Sequence, residues 1–259
     1  MRIATWNVNS VRARATRVTQ FLERTQVDVL GMQEIKCKPE QFPYADFEAI
    51  GYKVVAHGLN QWNGVAFAYR QDLEIEDVEL EFPSQPMFKD IVEARAIGAT
   101  FNDVRLWSLY VPHGRGLEDP HMSYKLEFLD RLASSQAEQL EMNPDAQICL
   151  MGDFNVAPLD SDVYNLQMFE THVSEPERQA FEAFEQIGFE DRVRSLVPDE
   201  YTYWDYKDLC FPLNKGMRID FALTSPALSE VVTSASIERD ERKGEGPSDH
   251  VPVVIEISD

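Results

Sequence analysis

The residues able to do chemistry in this chain stand where apolar runs stop. Ile3-Ala4-Thr5-Trp6 ends on Asn7, and Val29-Leu30-Gly31-Met32 ends on Gln33-Glu34. Ile148-Cys149-Leu150-Met151 ends on Gly152-Asp153-Phe154-Asn155. Arg218-Ile219 leads into Asp220, and Ser248-Asp249-His250 precedes the strand-like run Val251-Pro252-Val253-Val254-Ile255. Buried strands are rigid platforms, and polar side chains at their ends can converge on one cleft. The set that would converge is Asn7, Glu34, Asp153, Asn155, Asp220, Asp249 and His250. It is oxygen-rich and thiol-free, which suits a hard divalent cation such as Mg2+. It also suits base-assisted attack of water on a phosphate ester.

Each fragment has a blander reading. Asp153 and Asn155 flank Phe154, so both can face one side of an extended segment, but the pair fits a capped turn equally well. Asp249-His250 alone reads as the cap of a strand with an exposed imidazole. Glu34, Asn7 and Asp220 alone read as a solvated charge, a turn former and a strand-end charge. The ensemble favours a site. Tyr110-Val111-Pro112-His113-Gly114-Arg115 leaves a strand through a turn and offers Tyr110, His113 and Arg115 to phosphate oxygens. Arg12, Arg14 and Arg17, with Lys36, Lys38, Lys125, Lys215 and Arg218, can track a phosphate backbone if they ring the cleft. Tyr201, Tyr203, Trp204 and Tyr206 can stack on bases or line a sugar pocket, or can be ordinary strand aromatics. His57, His121 and His172 receive no role.

Those fragments span most of the 259 residues, so dividing the chain would divide the site; we read one domain. At 44% hydrophobic the chain has ample core. A formal charge of -21 argues against a nucleic-acid partner. Charge is felt only over about 8 Å at physiological salt, however, so a local basic patch can outweigh a distant acidic surface. Three widely spaced cysteines, Cys37, Cys149 and Cys210, fit neither a disulfide framework nor a zinc site. Cys149 reads as core. No leader peptide or membrane span is evident, and the cytoplasm is the expected location.

Strand-like runs recur at 2–7, 27–33, 52–56, 64–69, 91–101, 104–111, 147–151, 219–224, 231–238 and 251–257. Helical spacing appears at 11–23, 121–142 and 177–187. Segments 157–176 and 239–247 read as loops. Many strands with a few helices imply two packed sheets with helices outside.

In order and type, Trp6-Asn7, Gln33-Glu34-Ile35-Lys36, Tyr110-Val111-Pro112, Gly152-Asp153-Phe154-Asn155, Arg218-Ile219-Asp220 and Ser248-Asp249-His250 resemble the exonuclease III family of abasic-site endonucleases. That family is part of the endonuclease/exonuclease/phosphatase superfamily. The resemblance implies a four-layer α/β sandwich of two mostly antiparallel sheets flanked by helices. It implies hydrolysis of DNA phosphodiesters with Mg2+, or Mn2+ in its place: incision of duplex DNA 5′ to abasic sites and trimming of 3′ ends. By matching motif, Glu34 would be the main metal ligand, with Asn7, Asp153, Asn155, Asp249 and His250 around it. Asp153 would activate the attacking water and Asn155 would position it. His250, oriented by Asp220, and Tyr110 would contact the scissile phosphate. Arg12, Arg14, Lys36, His113, Arg115 and Arg218 would contact DNA, and Tyr203, Trp204, Met217 and Ile219 would line the pocket for a flipped-out baseless sugar, whose flipping is cheap because no base is unstacked. His113 and Met217 depart from the commonest family pattern, which puts the phosphate contact and the balance of the two activities in question.

Two rivals remain at this stage. One keeps the site but acts on a phospholipid or inositol phosphate, which the acidity favours. The other is a non-catalytic DNA-binding module, which would be expected to have lost a catalytic position. Nothing in the sequence demands more than a monomer.

Overall fold

The computed structural model describes residues 1–258. Eleven strands are β1 (Arg2–Asn7), β2 (Val29–Gln33), β3 (Tyr52–His57), β4 (Val65–Arg70), β5 (Glu76–Glu79), β6 (Ala96–Phe101), β7 (Val104–Tyr110), β8 (Ile148–Asp153), β9 (Asp220–Thr224), β10 (Val232–Ile237) and β11 (Val253–Ile257). They form a six-stranded sheet ordered β10-β11-β1-β2-β4-β3 and a five-stranded sheet ordered β5-β6-β7-β8-β9. Two pairs, β1/β2 and β7/β8, are parallel, and the other pairs are antiparallel.

Each parallel pair needs a crossover, and helices supply both. α1 (Val11–Thr25) joins β1 to β2, and α3 (Pro120–Met142) joins β7 to β8. Three cores follow from this layering. Ile3, Phe67, Ile97, Phe101, Leu106, Cys149, Ala222 and Ile255 pack between the sheets. Trp6, Val18, Phe21 and Leu22 pack beneath α1 with the outer face of the first sheet. Phe128, Leu132, Phe154, Phe181 and Phe221 pack between the second sheet and the pair α3 and α4 (Glu175–Gln186). The result is the expected four-layer α/β/β/α sandwich.

The strand 91–101 is shorter than its apolar pattern, beginning at Ala96, because the preceding residues form loops around Arg95. β5 escaped prediction because Glu76-Asp77-Val78-Glu79 is wholly exposed at a sheet edge and carries no alternation. Three short helices, α2 (Tyr44–Glu48), α5 (Arg192–Leu196) and α6 (Pro226–Ser229), are too brief to show a period. The loop 157–176 holds two 3-10 turns, Asp160–Asp162 and Leu166–Met168, and runs into the start of α4. The loop 239–247 starts with a 3-10 turn and is not free: Glu241 pairs with Arg24 at 2.6 Å, and Arg17 donates to the Glu241 and Lys243 carbonyls.

Candidate active site

Both sheets end on one cleft. Asn7 closes β1 and Glu34 follows β2; Tyr110 closes β7, Asp153 closes β8 and Asp220 opens β9. His250 lies just before β11. Parallel register puts Asn7 beside Gln33 and Tyr110 beside Asp153, while the antiparallel β8/β9 pair sets Asp153 opposite Asp220. Gly152 permits this: its φ is +146°, and a Cβ there would lie 2.0 Å from the Leu109 carbonyl oxygen. Asp153 is therefore delivered by a backbone that only glycine allows at the preceding position. Glu34 and Asn155 hold left-handed φ values of 51°, uncommon for residues with a side chain and typical of strained functional positions.

The His250 imidazole has carboxylates at both ends. Nδ1 lies 2.8 Å from Asp220 Oδ2 and Nε2 lies 3.7 Å from Asp153 Oδ2. Burial alone would lower its pKa, but the charges of Asp220 and Asp153 outweigh that and push it up to about 10. Asp153 moves up from the usual carboxylate range, chiefly by burial, with His250 opposing and Asp220 reinforcing. The segment is pinned from behind: Trp6 Nε1 donates to the His250 carbonyl at 3.0 Å, and Ser248 Oγ to the Asn7 carbonyl at 2.7 Å. Thr202 Oγ1 accepts from the Ile219 and Asp220 amides, fixing the start of β9.

Glu34, Asp153 and His250 each bring a ligand atom within 4.8 Å of the others, an arrangement able to hold a metal ion. The remaining expected ligands stand around this trio. Asn7 Nδ2 donates to Glu34 Oε1 at 2.9 Å and to Asp153 Oδ2 at 3.0 Å, while its Oδ1 accepts from the Asn9 amide. It orients the carboxylates, and its Oδ1 keeps a second lone pair for a cation. Both ends of the Asn155 amide are engaged as well, Nδ2 on the Val111 carbonyl at 3.0 Å and Oδ1 with His172 Nε2 at 3.1 Å. Asp249 lines the cleft and accepts from Asn9 Nδ2 at 3.0 Å. Burial would raise the Glu34 pKa, but the Lys36 ammonium at 2.9 Å holds it below the usual value. Tyr110 is kept protonated by burial and by the charge of Glu34, and its ring rests on the Arg95 guanidinium at 4.9 Å.

The cleft has a cavity of about 590 Å³, lined among others by Glu34, Tyr110, His113, Asp153, Tyr203, Met217, Ile219 and His250. Tyr203 lies 4.9 Å from the His250 ring. Several sequence expectations need correction here. Trp204 is fully buried, so it backs the wall and does not face the cavity. Arg218 is 2% exposed and pairs with Asp191 at 3.1 Å, so it braces α5 and is withheld from any ligand. Arg14 is spent on the Asn9 and Pro247 carbonyls and the Tyr206 hydroxyl. Lys125 is fully buried. Lys36 faces Glu34 and Asn9 Oδ1. His113 is an exposed residue of the cleft lining, while Arg12 and Arg115 are exposed outside that lining, Arg115 in a separate groove with Trp62 and Arg95.

Sequence reasoning missed Asn9, Arg95 and His172. Asn9 shares a face with Asn7 at a spacing of two, a usable signal. His172, in an aperiodic loop, gave none. Its ring meets Asn155 and packs edge-on against His113 at 4.6 Å. Burial, then the nearby Lys125 charge, keep it well below its ordinary pKa, so it is neutral.

The fold and this site together define a metal-compatible phosphoesterase class of α/β sandwich. The chain belongs to the Endonuclease/Exonuclease/phosphatase family, whose model matches residues 4–250. It is 31% identical to a Haemophilus influenzae protein named exodeoxyribonuclease III, over 99% of this chain and 100% of that one. Two similar solved structures have TM-scores of 0.92. One is an AP endonuclease from Archaeoglobus fulgidus, 35% identical and covering 100% of both chains. The other is the 3′ phosphatase NExo from Neisseria bound to product DNA hairpin, 33% identical and covering 100% of this chain and 99% of that one. No helix among the described residues is long and apolar enough to cross a membrane.

Proposed function

We propose that this chain is a DNA-repair phosphodiesterase that cuts duplex DNA 5′ to abasic sites and trims or cleans 3′ ends. The observation that carries the reading is His250, held between Asp220 and Asp153 within ligand reach of Glu34. An imidazolium with a raised pKa donates hydrogen bonds and does not ligate a metal, so His250 faces the scissile phosphate. Asp153, oriented by the Asn7 side-chain amide and the Asn155 backbone amide, accepts the proton of the attacking water. The water oxygen bonds to phosphorus, the bond from phosphorus to O3′ breaks, and O3′ leaves as a hydroxyl with a proton taken from solvent water. Charge that grows on the non-bridging oxygens is met by His250 and by the Tyr110 hydroxyl.

The donors present fit a hard divalent cation: Glu34 with Asp153, and Asp249 at the margin. We take the ion to be Mg2+, with Mn2+ able to replace it; it would supply charge neutralisation at the phosphate. Arg12, His113 and Arg115 contact the strand, and Tyr203, Met217 and Ile219 receive the baseless sugar. The protein works as a monomer in the cytoplasm.

The test is a labelled duplex with one stable abasic mimic, with a second duplex ending in a 3′-phosphate, each incubated with Mg2+ or with EDTA. Incision immediately 5′ to the mimic and release of 3′-phosphate, both abolished by EDTA, are expected. No cleavage of either duplex at low salt, with Mn2+ also tried, would overturn the reading.

A further inference from the structure

Beneath the cleft lies an ion pair with no part in the chemistry above. Lys125, on α3, and Glu177, on α4, are in contact and both are 0% exposed. Their other partners are informative. Lys125 Nζ donates to the Asn155 carbonyl at 2.6 Å and to the His113 carbonyl at 3.3 Å. Glu177 Oε1 also accepts from the His172 amide at 2.9 Å, while Oε2 accepts from Ser174 N at 3.1 Å and Ser174 Oγ at 2.6 Å.

The Oε2 contacts are an ordinary helix cap for α4. The rest are not explained by capping. Three segments with no regular structure meet at this pair: that after β7, which carries His113; that after β8, which carries Asn155; and that before α4, which carries His172. All three residues line the cleft. An ammonium can serve three acceptors at once, which no apolar side chain can do. Stability is a poor reason to keep the pair, because well-packed apolar residues often replace a buried ion pair without loss. The link to the reacting centre is short. Lys125 holds the Asn155 carbonyl, and the Asn155 amide donates to Asp153 Oδ1 at 2.9 Å.

We infer that Lys125 and Glu177 are positioning residues for the hydrolysis: one buried ion pair fixes the backbone of Asn155, His113 and His172, and through Asn155 sets the carboxylate of Asp153. This rests on the function proposed above. The pair touches no substrate and reaches Asp153 through Asn155, so its loss is expected to lower kcat by more than it raises KM through the displaced His113.

The experiment compares the wild-type chain with the charge-neutral double variant Lys125→Met/Glu177→Gln and with Glu177→Gln alone, which keeps side-chain shape but takes the counter-charge from Lys125. Steady-state kcat and KM are measured on the abasic duplex, with thermal midpoints and backbone amide resonances. Expected are a kcat about 10- to 100-fold lower in the double variant and several-fold lower in Glu177→Gln, with KM rising by less than kcat falls. The Asp153 and Asn155 amide resonances should move while those of β1 and β11 stay. A folded variant with kcat within twofold of wild type, or a raised KM with unchanged kcat, would overturn the inference. If the double variant does not fold, Glu177→Gln decides by the same criteria. A wild-type chain that cuts neither duplex would sink the proposed function alone; the positioning claim is then decided by whether the Asp153 and Asn155 amides move.

Discussion

Replacing Asp220 with Asn tests whether His250 works as an imidazolium. Asp220 Oδ2 is 2.8 Å from Nδ1, with both groups buried, and is the strongest of the influences that raise His250 to about 10. An amide oxygen of the same shape still accepts from Nδ1 but carries no charge. Removing one close opposite charge shifts a pKa by about 1–3 units, so the His250 value should fall by that amount. The alkaline limb of kcat/KM on the abasic duplex should move to lower pH accordingly. Asp153 remains 3.7 Å from Nε2, so the imidazole keeps a counter-charge and the fold should lose less than the roughly 3–5 kcal/mol typical of an orphaned buried charge. The direction with pH is fixed. A histidine whose folded pKa lies above its unfolded value of about 6.5 contributes stability in full below that value. The contribution fades as pH rises through the folded value near 10. The gap in urea midpoint between wild type and Asp220→Asn should therefore be widest near pH 6 and shrink toward pH 10. An unchanged alkaline limb, or a gap that grows with pH, would refute the assignment of charge to His250.

Glu34→Gln should raise the Mg2+ concentration needed for half-maximal cleavage by about tenfold or more, read from a metal titration, since it removes one of the two carboxylates, with Asp153, that would hold the ion. Tyr110→Phe should cut kcat by about 10²-fold with the thermal midpoint unchanged, as expected for a lost donor to developing charge; a change confined to KM would place the hydroxyl elsewhere. Arg12→Ala should weaken duplex binding and reduce the slope of log affinity against log salt by about 0.9, the mark of one lost phosphate contact. Arg218→Ala should leave that slope alone and destabilise the fold, because it removes one of the two guanidiniums, with Arg194, that neutralise the largely buried Asp191 carboxylate.

The architecture was legible wherever a strand is buried on both faces, as in β1, β2 and β8, because burial writes a continuous apolar run. The set of residues that converges on the cleft was legible for a related reason. Polar residues that end such runs must be either caps or site residues, and five fragments ending alike made caps a poor explanation. What stayed hidden depends on contacts between segments distant in sequence. Arg14, Lys125 and Arg218 look like any solvated cations in one dimension, yet each is consumed by carbonyls or carboxylates that lie 5 to 233 residues away. His172 became a wall of the cleft only because α4 begins where Glu177 can meet its amide.

Those consumed cations bear on how a chain of formal charge -21 can hold a polyanion at all. Of the basic residues that the sequence placed around the cleft, Arg14, Arg17, Lys36, Lys125 and Arg218 are engaged by the protein's own carbonyls or carboxylates. Affinity therefore cannot rest on a broad electrostatic footprint of the kind that supplies most non-specific binding. It must come from the centre, where a cation held by Glu34 and Asp153 would offset the local acidity and the His250 imidazolium adds a further positive charge. Such a site gains little from intact backbone and most from a phosphate that can reach the bottom of the cleft. A missing base or a free 3′ end makes that approach cheap. The acidity that first argued against DNA thus predicts selectivity: undamaged duplex should bind more weakly than the abasic duplex in a filter-binding comparison at physiological salt.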